Sequence, residues 1–258
     1  MDAVEEGWRT RFTEAFARPA SSVQARVWAE VYGAEYPAEV APFSYISVSE
    51  LTRFVAEVGL RPGDTLADVG CGQGGPGLWV AARADTRLVG VDIAPTAVAA
   101  ARSRADALGL ADRTAFQVGT FAETGLPASS VQAVMSVDAL LFAPDKAAAF
   151  TEFARVLTPG GRLVLTTWDY HTQPVGRPPQ LPDHRPALAD AGFTVHAYEE
   201  TDHWRSRVTR VNDLLLAAVD DLAAETGADP GDLKASLREM QATVDCMTRR
   251  VLIVAERP

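Results

Sequence analysis

The sequence predicts an α/β protein built on a doubly wound parallel sheet, and three observations support this fold. Short apolar segments alternate with helix-forming segments between residues 64 and 168. The first segment, "DTLADVG", runs directly into the glycine-rich "CGQGGPG". The segments "TRLVGVD", "RTAFQVG", "VQAVMSVDA" and "RLVLTTW" follow it in order. Five strands that alternate with helices in this way form a parallel sheet covered on both faces.

Two later apolar segments, "FTVHAYEET" and "RRVLIVAER", predict a C-terminal antiparallel pair that completes a seven-stranded sheet. The region between them is helical in pattern, and the Pro-rich "QPVGRPPQLP" is expected to be a loop at the edge of the sheet. Helices and an aromatic loop precede the first strand. We therefore predict an N-terminal helical arm or lid at 1–50, a core at 51–202, a helical cap at 203–247 and a final core strand at 248–258.

The overall composition favours a small-molecule partner. The chain has 258 residues, 47% of them apolar, and a formal net charge of −10. This acidity disfavours binding to nucleic acid and to anionic membranes, which require basic surfaces. The two cysteines are too few for a disulfide framework, and the four histidines lack metal-ligand spacing, so no metal is expected. The N-terminus has no apolar signal segment, which predicts a cytoplasmic protein.

The stretch "LADVGCGQGGPG" suggests a ligand that approaches bare backbone where the first strand ends. Gly70, Gly72 and Gly75 match the G-x-G-x-x-G pattern, which leaves a dinucleotide open. Asp68 comes just before the first glycine, where a carboxylate would repel a pyrophosphate and attract an ammonium group. Asp92 ends the second strand, where an acidic side chain typically accepts hydrogen bonds from ribose hydroxyls.

These segments together resemble the class I S-adenosylmethionine-dependent methyltransferases. "LADVGCGQG" is similar to their first motif and "LVGVDIAP" to their second, and the resemblance covers roughly residues 51–168. The helical insertion is similar to that of the rebeccamycin sugar O-methyltransferase group. The resemblance implies a Rossmann-like fold and S-adenosyl-L-methionine as cofactor, with S-adenosyl-L-homocysteine as product. It implies cofactor contacts from Asp68, Gly70, Cys71, Gly72, Gly74, Asp92, Ile93, Thr120, Phe121 and Asp138.

The acceptor site is less clearly indicated. The sugar O-methyltransferases carry histidines after the fourth strand, whereas this chain has Leu141 and Phe142. Asp138 at the same strand end is a candidate for orienting the substrate or acting as base, or for holding the methionine end of the cofactor. His171 in "WDYH" is a second catalytic candidate, although this stretch also fits a surface turn. We expect the remaining acceptor contacts from Tyr32, Phe43, Tyr45, Phe142, Trp168 and Tyr170.

The function predicted from these features is methylation of a small, largely apolar or aromatic metabolite at oxygen, carbon or nitrogen, in bacterial specialised metabolism. One alternative keeps the fold and the cofactor pocket for a non-methylating cyclisation or a scaffold role. Another is an NAD-dependent oxidoreductase, motivated by the glycine pattern and Asp92. The expected assembly is a monomer or a homodimer.

Overall fold

The computed structural model describes residues 3–40 and 44–258. Its strands are β1 (Thr65–Val69), β2 (Arg87–Asp92), β3 (Thr114–Val118), β4 (Val131–Val137), β5 (Leu157–Tyr170), β6 (Thr194–Glu200) and β7 (Met247–Glu256). Its α-helices are α1 (Ala3–Ala17), α2 (Ser22–Tyr32), α3 (Val48–Glu57), α4 (Gly75–Ala84), α5 (Pro95–Ala107), α6 (Lys146–Val156), α7 (Arg185–Asp190), α8 (Trp204–Ala217), α9 (Val219–Thr226) and α10 (Pro230–Asp245).

The seven strands form one sheet in the order β3-β2-β1-β4-β5-β7-β6. Strands β1 to β5 are mutually parallel, and β7 pairs antiparallel with both β5 and β6. The predicted fold class, five parallel strands with a C-terminal antiparallel pair, is confirmed. Strand β1 lies between β2 and β4, so the chain leaves it in one direction and later returns on its other side. A crevice forms beyond the carboxyl ends of the strands at such a reversal.

Helices cover both faces of the sheet because the buried strands are apolar on both sides. On one face, α3, α4 and α5 contribute Phe54, Leu78 and Val98 to the core. On the other face, α6 and α7 contribute Phe153 and Leu188. Local signals define the helix starts: Ser47 and Glu50 form a capping box at α3. The two cores hold the strand ends, and therefore the crevice, in place.

The N-terminal helices and the insertion pack together outside this core. Helix α2 contacts α8 and α9, and α1 contacts α5. The insertion comprises α8, α9 and α10, and α3 crosses the expected boundary at residue 50 because it begins at Val48. Within residues 3–40 and 44–258, no helix combines the length and apolarity needed to cross a membrane.

Candidate active site

The carboxyl ends of β1, β2 and β4 open into one cavity. Its floor is the glycine loop after β1, and its sides come from residues 91–93 after β2, residues 119–121 after β3 and residues 137–139 after β4. Phe142, in a short 3-10 helix after β4, forms a further part of the wall. Helix α1 lies across the opening with Trp8, Phe12 and Phe16. The cavity therefore lies at the reversal point of the sheet and is covered by the N-terminal arm.

The glycine loop is a tight turn that brings bare backbone to the cavity. Gly70, Gly72 and Gly74 have φ values of 77°, 52° and 77°, a conformation that residues with a Cβ rarely adopt. The N–H groups of Gly70 and Cys71 donate to the carbonyl of Val91 at 2.8 and 3.1 Å, which fastens the loop to the end of β2. Gly70, Cys71 and Gly72 line the cavity, whereas Gly74 precedes α4 outside its wall.

Asp68 is a buried carboxylate beneath this loop. The residue is 1% exposed, and its Oδ2 atom has no hydrogen-bond partner among the described residues. Burial and the nearby charge of Asp92 raise its pKa to about 7, and the N–H of Gly77 offsets this only in part. A Cβ at position 77 would lie 2.5 Å from Oδ2, so the glycine makes room for the carboxylate. An unsatisfied carboxylate facing a cavity suits an ammonium group of a ligand.

Asp92 lines the same cavity from the end of β2. Its Oδ2 accepts from the N–H of Gly72 at 2.8 Å, and its Oδ1 accepts from the N–H of Ala94 at 2.9 Å. These bonds lower the pKa of the carboxyl, but burial outweighs them and the net shift is upward. Each oxygen retains a second lone pair that a ribose hydroxyl could use. Ile93 follows directly and also contributes to the wall.

Thr120 and Phe121 form the wall after β3. The N–H of Thr120 donates to the carbonyl of Glu123 at 3.0 Å, and its hydroxyl accepts from the N–H of Glu123 at 3.0 Å. This local turn places the ring of Phe121 against Gly70, where an added Cβ would lie 3.1 Å from the ring. The expected adenine contacts therefore lie beside the glycine loop.

Asp138 lines the cavity but is held by an arginine that the sequence analysis did not identify. Its Oδ1 and Oδ2 accept from Nε and Nη2 of Arg250 at 2.8 and 3.1 Å, and Oδ2 also accepts from the N–H of Tyr45 at 2.9 Å. Arg250 is itself buried and pairs with Glu50 through Nη1. Asp138 has a left-handed φ of 53°, which its N–H supports by donating to the carbonyl of Thr166. Both carboxylate oxygens are thus engaged.

The expected acceptor residues lie in different surroundings. Phe142 lines the cavity, and Phe43 falls outside the described residues. Trp168 and Tyr170 are buried in a cluster beside the cavity, and Tyr32 donates its hydroxyl proton to the carbonyl of Tyr45 at 2.9 Å. His171 is exposed. As the described residues define it, the cavity wall does not include His171, Tyr32, Tyr45, Trp168 or Tyr170.

The aromatic row on α1 was missed by the sequence analysis. Trp8, Phe12 and Phe16 recur every four residues, so they share one face of the helix. Phe142 packs against the first two, with ring centroids 4.8 Å from each. Phe16 lies over Gly72, where an added Cβ would be 3.3 Å from the ring. The spacing of four was visible in the sequence, but only the fold shows which surface this face covers.

The residues present fit S-adenosylmethionine. The Asp68 Oδ2 atom, which has no hydrogen-bond partner among the described residues, matches the ammonium of the cofactor's methionine part. The glycines leave room for the cofactor to approach the backbone of the loop. Asp92 and the aromatic and aliphatic walls match a ribose and a purine.

Comparisons with known proteins show similarity to methyltransferases. Residues 67–165 match the family model described as a methyltransferase domain. The chain is 34% identical over 124 residues to the 27-O-demethylrifamycin SV methyltransferase of Amycolatopsis mediterranei, covering 48% of this chain and 46% of that protein. It is 30% identical over 175 residues to phosphoethanolamine N-methyltransferase 1 of Arabidopsis thaliana, covering 62% of this chain and 35% of that protein.

A solved structure, that of the [4+2]-cyclase SpnF, matches with a TM-score of 0.70 and 26% identity, covering 81% of this chain and 80% of that chain. The fold is a seven-stranded α/β sheet with a cavity at the carboxyl ends of its parallel strands. The part of the chain that carries the glycine loop, Asp92 and Asp138 is therefore similar to methyltransferase domains. The chain spans less than half the length of the two curated relatives just named.

Proposed function

We propose that this chain transfers a methyl group from S-adenosylmethionine to a small, largely apolar or aromatic metabolite. The observation that carries the proposal is the buried carboxylate of Asp68 beneath the glycine loop, whose Oδ2 atom has no hydrogen-bond partner among the described residues. The cofactor supplies an electrophilic methyl group on a sulfonium centre, so the protein's main task is to align an acceptor with it. The acidic net charge of −10 supports a small-molecule acceptor over a nucleic acid.

We assign the cofactor to the cavity and its residues to distinct parts of it. Asp68 binds the ammonium, the backbone at Gly70, Cys71 and Gly72 passes beneath it, and Asp92 accepts from the ribose. Ile93 and Phe121 pack on the adenine, with Thr120 at its edge, and Gly74 supports the loop from outside the wall. The likeness to the rifamycin-type methyltransferase supports a role in bacterial specialised metabolism.

For Asp138 we propose a positioning role in place of general-base catalysis. Its carboxylate already accepts three hydrogen bonds from Arg250 and Tyr45, which leaves it poorly suited to take a proton. His171 is exposed and outside the cavity wall. We therefore propose an acceptor that is deprotonated in solution or reacts without losing a proton before attack.

Binding and product analysis test this function in two stages. Calorimetry with S-adenosylhomocysteine should give a micromolar or tighter Kd for the wild type and at least about tenfold weaker binding for Asp68→Asn. Incubation of a metabolite extract with S-adenosylmethionine carrying a deuterated methyl group should then give a labelled, apolar product. Undetectable cofactor binding to the wild type would rule the proposal out.

The likeness to the [4+2]-cyclase SpnF favours a second candidate, cyclisation with the cofactor held as part of the scaffold. Cyclisation also agrees with Asp138, whose carboxylate is already hydrogen-bonded to Arg250 and is therefore poorly suited to act as a general base. The two functions differ in product mass, because methylation replaces hydrogen with methyl while cyclisation by isomerisation leaves the mass unchanged. Cofactor binding without label transfer, together with an isomeric product, would favour this candidate.

A further inference from the structure

The Pro-rich segment 173–182 is a firmly anchored loop rather than a loose edge of the sheet. Lys146 donates from Nζ to the carbonyls of Ala143 and Pro179 at 2.8 and 2.6 Å, which ties this loop to the 3-10 helix after β4. Gln180 donates to the carbonyl of Leu141 at 2.8 Å and reinforces the link. Gln173 donates to the carbonyl of Arg177 at 3.1 Å. The position of Arg177 is therefore defined by the fold.

Arg177 carries a buried positive charge into the junction of the arm, the loop and the insertion. Its side chain is 4% exposed, and its guanidinium carbon lies 5.2 and 5.6 Å from the ring centroids of Trp8 and Phe142. Its described ion-pair partner is Glu239 on α10 at 3.3 Å, and Arg11 shares that carboxylate at the same distance. Two guanidinium groups therefore face the carboxylate of Glu239. The Nε atom of Arg177 has no hydrogen-bond partner among the described residues.

Two further buried polar atoms, in the aromatic cluster against which Phe142 packs, have no hydrogen-bond partner among the described residues. Tyr170 and Trp168 project from the same face of β5 into one apolar cluster, and each is 3% exposed. Within the described part of the chain, neither the Tyr170 hydroxyl nor the Trp168 Nε1 has a partner. Phe142 links Arg177 to this cluster, because its ring centroid lies 5.6 Å from the guanidinium carbon and the ring packs against the cluster that contains Tyr170. Unpaired buried donors are costly, about 1–3 kcal/mol each, so such a group calls for a ligand or solvent that satisfies it.

We infer that this junction is an acceptor subsite, in which Arg177 and Tyr170 bind an anionic oxygen group, carboxylate or phosphate, of an otherwise apolar acceptor. The inference rests on the proposed function and narrows its acceptor class. Arg177 supplies Nε–H and charge, and Tyr170 supplies its hydroxyl proton. Phe142 and Leu141 contact the apolar remainder, since both belong to the same cluster and Phe142 also faces the cofactor cavity.

Three matched probes test the inference on protein saturated with S-adenosylhomocysteine: 4-phenylbutyrate, 3-phenylpropyl phosphate and neutral 4-phenylbutanol. Calorimetry should show at least one anion binding about tenfold or more tighter than the alcohol, because a charge-assisted pair in a buried site contributes strongly. Preference between the two anions identifies the head group. Arg177→Met keeps the apolar stem and should abolish the preference, whereas Tyr170→Phe should reduce it about threefold to tenfold.

Arg185→Met is the matched control, because Arg185 is 55% exposed, pairs with Asp183 and lies outside this cluster. S-Adenosylhomocysteine affinity, measured first, separates the outcomes. If the wild type does not bind S-adenosylhomocysteine, the proposed function itself is contradicted. Three results overturn the subsite alone when cofactor binding is normal. The first is equal affinity for the anions and the alcohol, and the second is no binding of either anion. The third is a preference for an anion that is unchanged in both the Arg177 and the Tyr170 variants.

Discussion

Arg250 holds Asp138 in a buried bidentate ion pair, with Nε and Nη2 at 2.8 and 3.1 Å from the two carboxylate oxygens. The two residues lie on β7 and directly after β4, 112 positions apart. The same guanidinium pairs with Glu50 on α3, while Asp138 accepts from the backbone of Tyr45 in the arm. This network joins two strands, a helix and the arm at the end of the sheet where the acceptor is expected.

Removing the arginine should destabilise the protein strongly. Arg250→Met leaves Asp138 and Glu50 without their countercharge in a buried site, which we expect to lower the free energy of unfolding by about 3–5 kcal/mol. Urea denaturation followed by circular dichroism measures the change. Arg53→Met removes a more exposed pair with Glu199 and should cost no more than about 1 kcal/mol. Equal effects of the two substitutions would argue against the central role of the network.

Cofactor affinity should depend on pH through Asp68. Burial and Asp92 raise its pKa to about 7, so below that value the carboxyl is largely protonated, and binding of an ammonium group must displace the proton. The affinity for S-adenosylhomocysteine should therefore rise up to about tenfold per unit from about pH 5 to about pH 7, then level off. Calorimetry across this range measures the profile.

Asp68→Asn is the control for this profile, because it removes the titrating group while keeping its shape. Its affinity should be low and nearly flat over the same range. A wild-type slope that survives in the variant would assign the pH dependence to another group, with Asp92 the neighbouring candidate, since its pKa is also raised.

The stability of the ligand-free protein should change with pH in the opposite sense. A carboxyl whose pKa is raised on folding stabilises the folded state fully only below its unfolded pKa of about 4, and this contribution is lost as the pH rises to about 7. As the pH rises from about 4 to about 7, the free energy of unfolding of the wild type should therefore fall relative to that of Asp68→Asn. Parallel stability profiles in thermal denaturation would contradict the assignment.

Gly77 should tolerate no side chain, for a reason specific to the site. A Cβ there would lie 2.5 Å from Oδ2 of Asp68, so Gly77→Ala must displace the carboxylate and weaken S-adenosylhomocysteine binding by about tenfold or more. Gly7→Ala is the matched control, since no described atom lies within 4 Å of its added Cβ on α1. That substitution should leave binding unchanged and stabilise the helix by up to about 1 kcal/mol.

The aromatic face of α1 should keep the arm closed over the cavity. Phe12 packs edge-on against Phe142 with centroids 4.8 Å apart, so Phe12→Ala should raise the Kd for S-adenosylhomocysteine about threefold to tenfold. Limited proteolysis should cut the variant's arm faster than that of the wild type. Leu108→Ala, at a residue 57% exposed, should change neither measurement. Unchanged affinity and cleavage in Phe12→Ala would show that α1 does not close the site.

Local features made the sheet predictable, and they also carry the proposed cofactor end of the site. The strand and helix periods, the glycine turn and the carboxylates Asp68 and Asp92 all lie within short stretches, and parallel strands bring their carboxyl ends to one edge. The acceptor end was predicted less well. Trp168 and Tyr170 follow from strand position, but their burial depends on α8 and α10, which pack from far along the chain.

The sequence by itself determined the fold class and predicted the cofactor type, because both depend on residues close together in the chain whose spacing sets backbone geometry. Only the tertiary structure decided which side chains surround the proposed acceptor end of the site. It engaged Asp138 with Arg250, turned the face of Trp8, Phe12 and Phe16 toward the cavity, and buried Arg177 against Trp8 and Phe142. Each of these relationships joins distant segments through packing and charge pairing, and hydrophobic spacing along the chain carries no information about such partners.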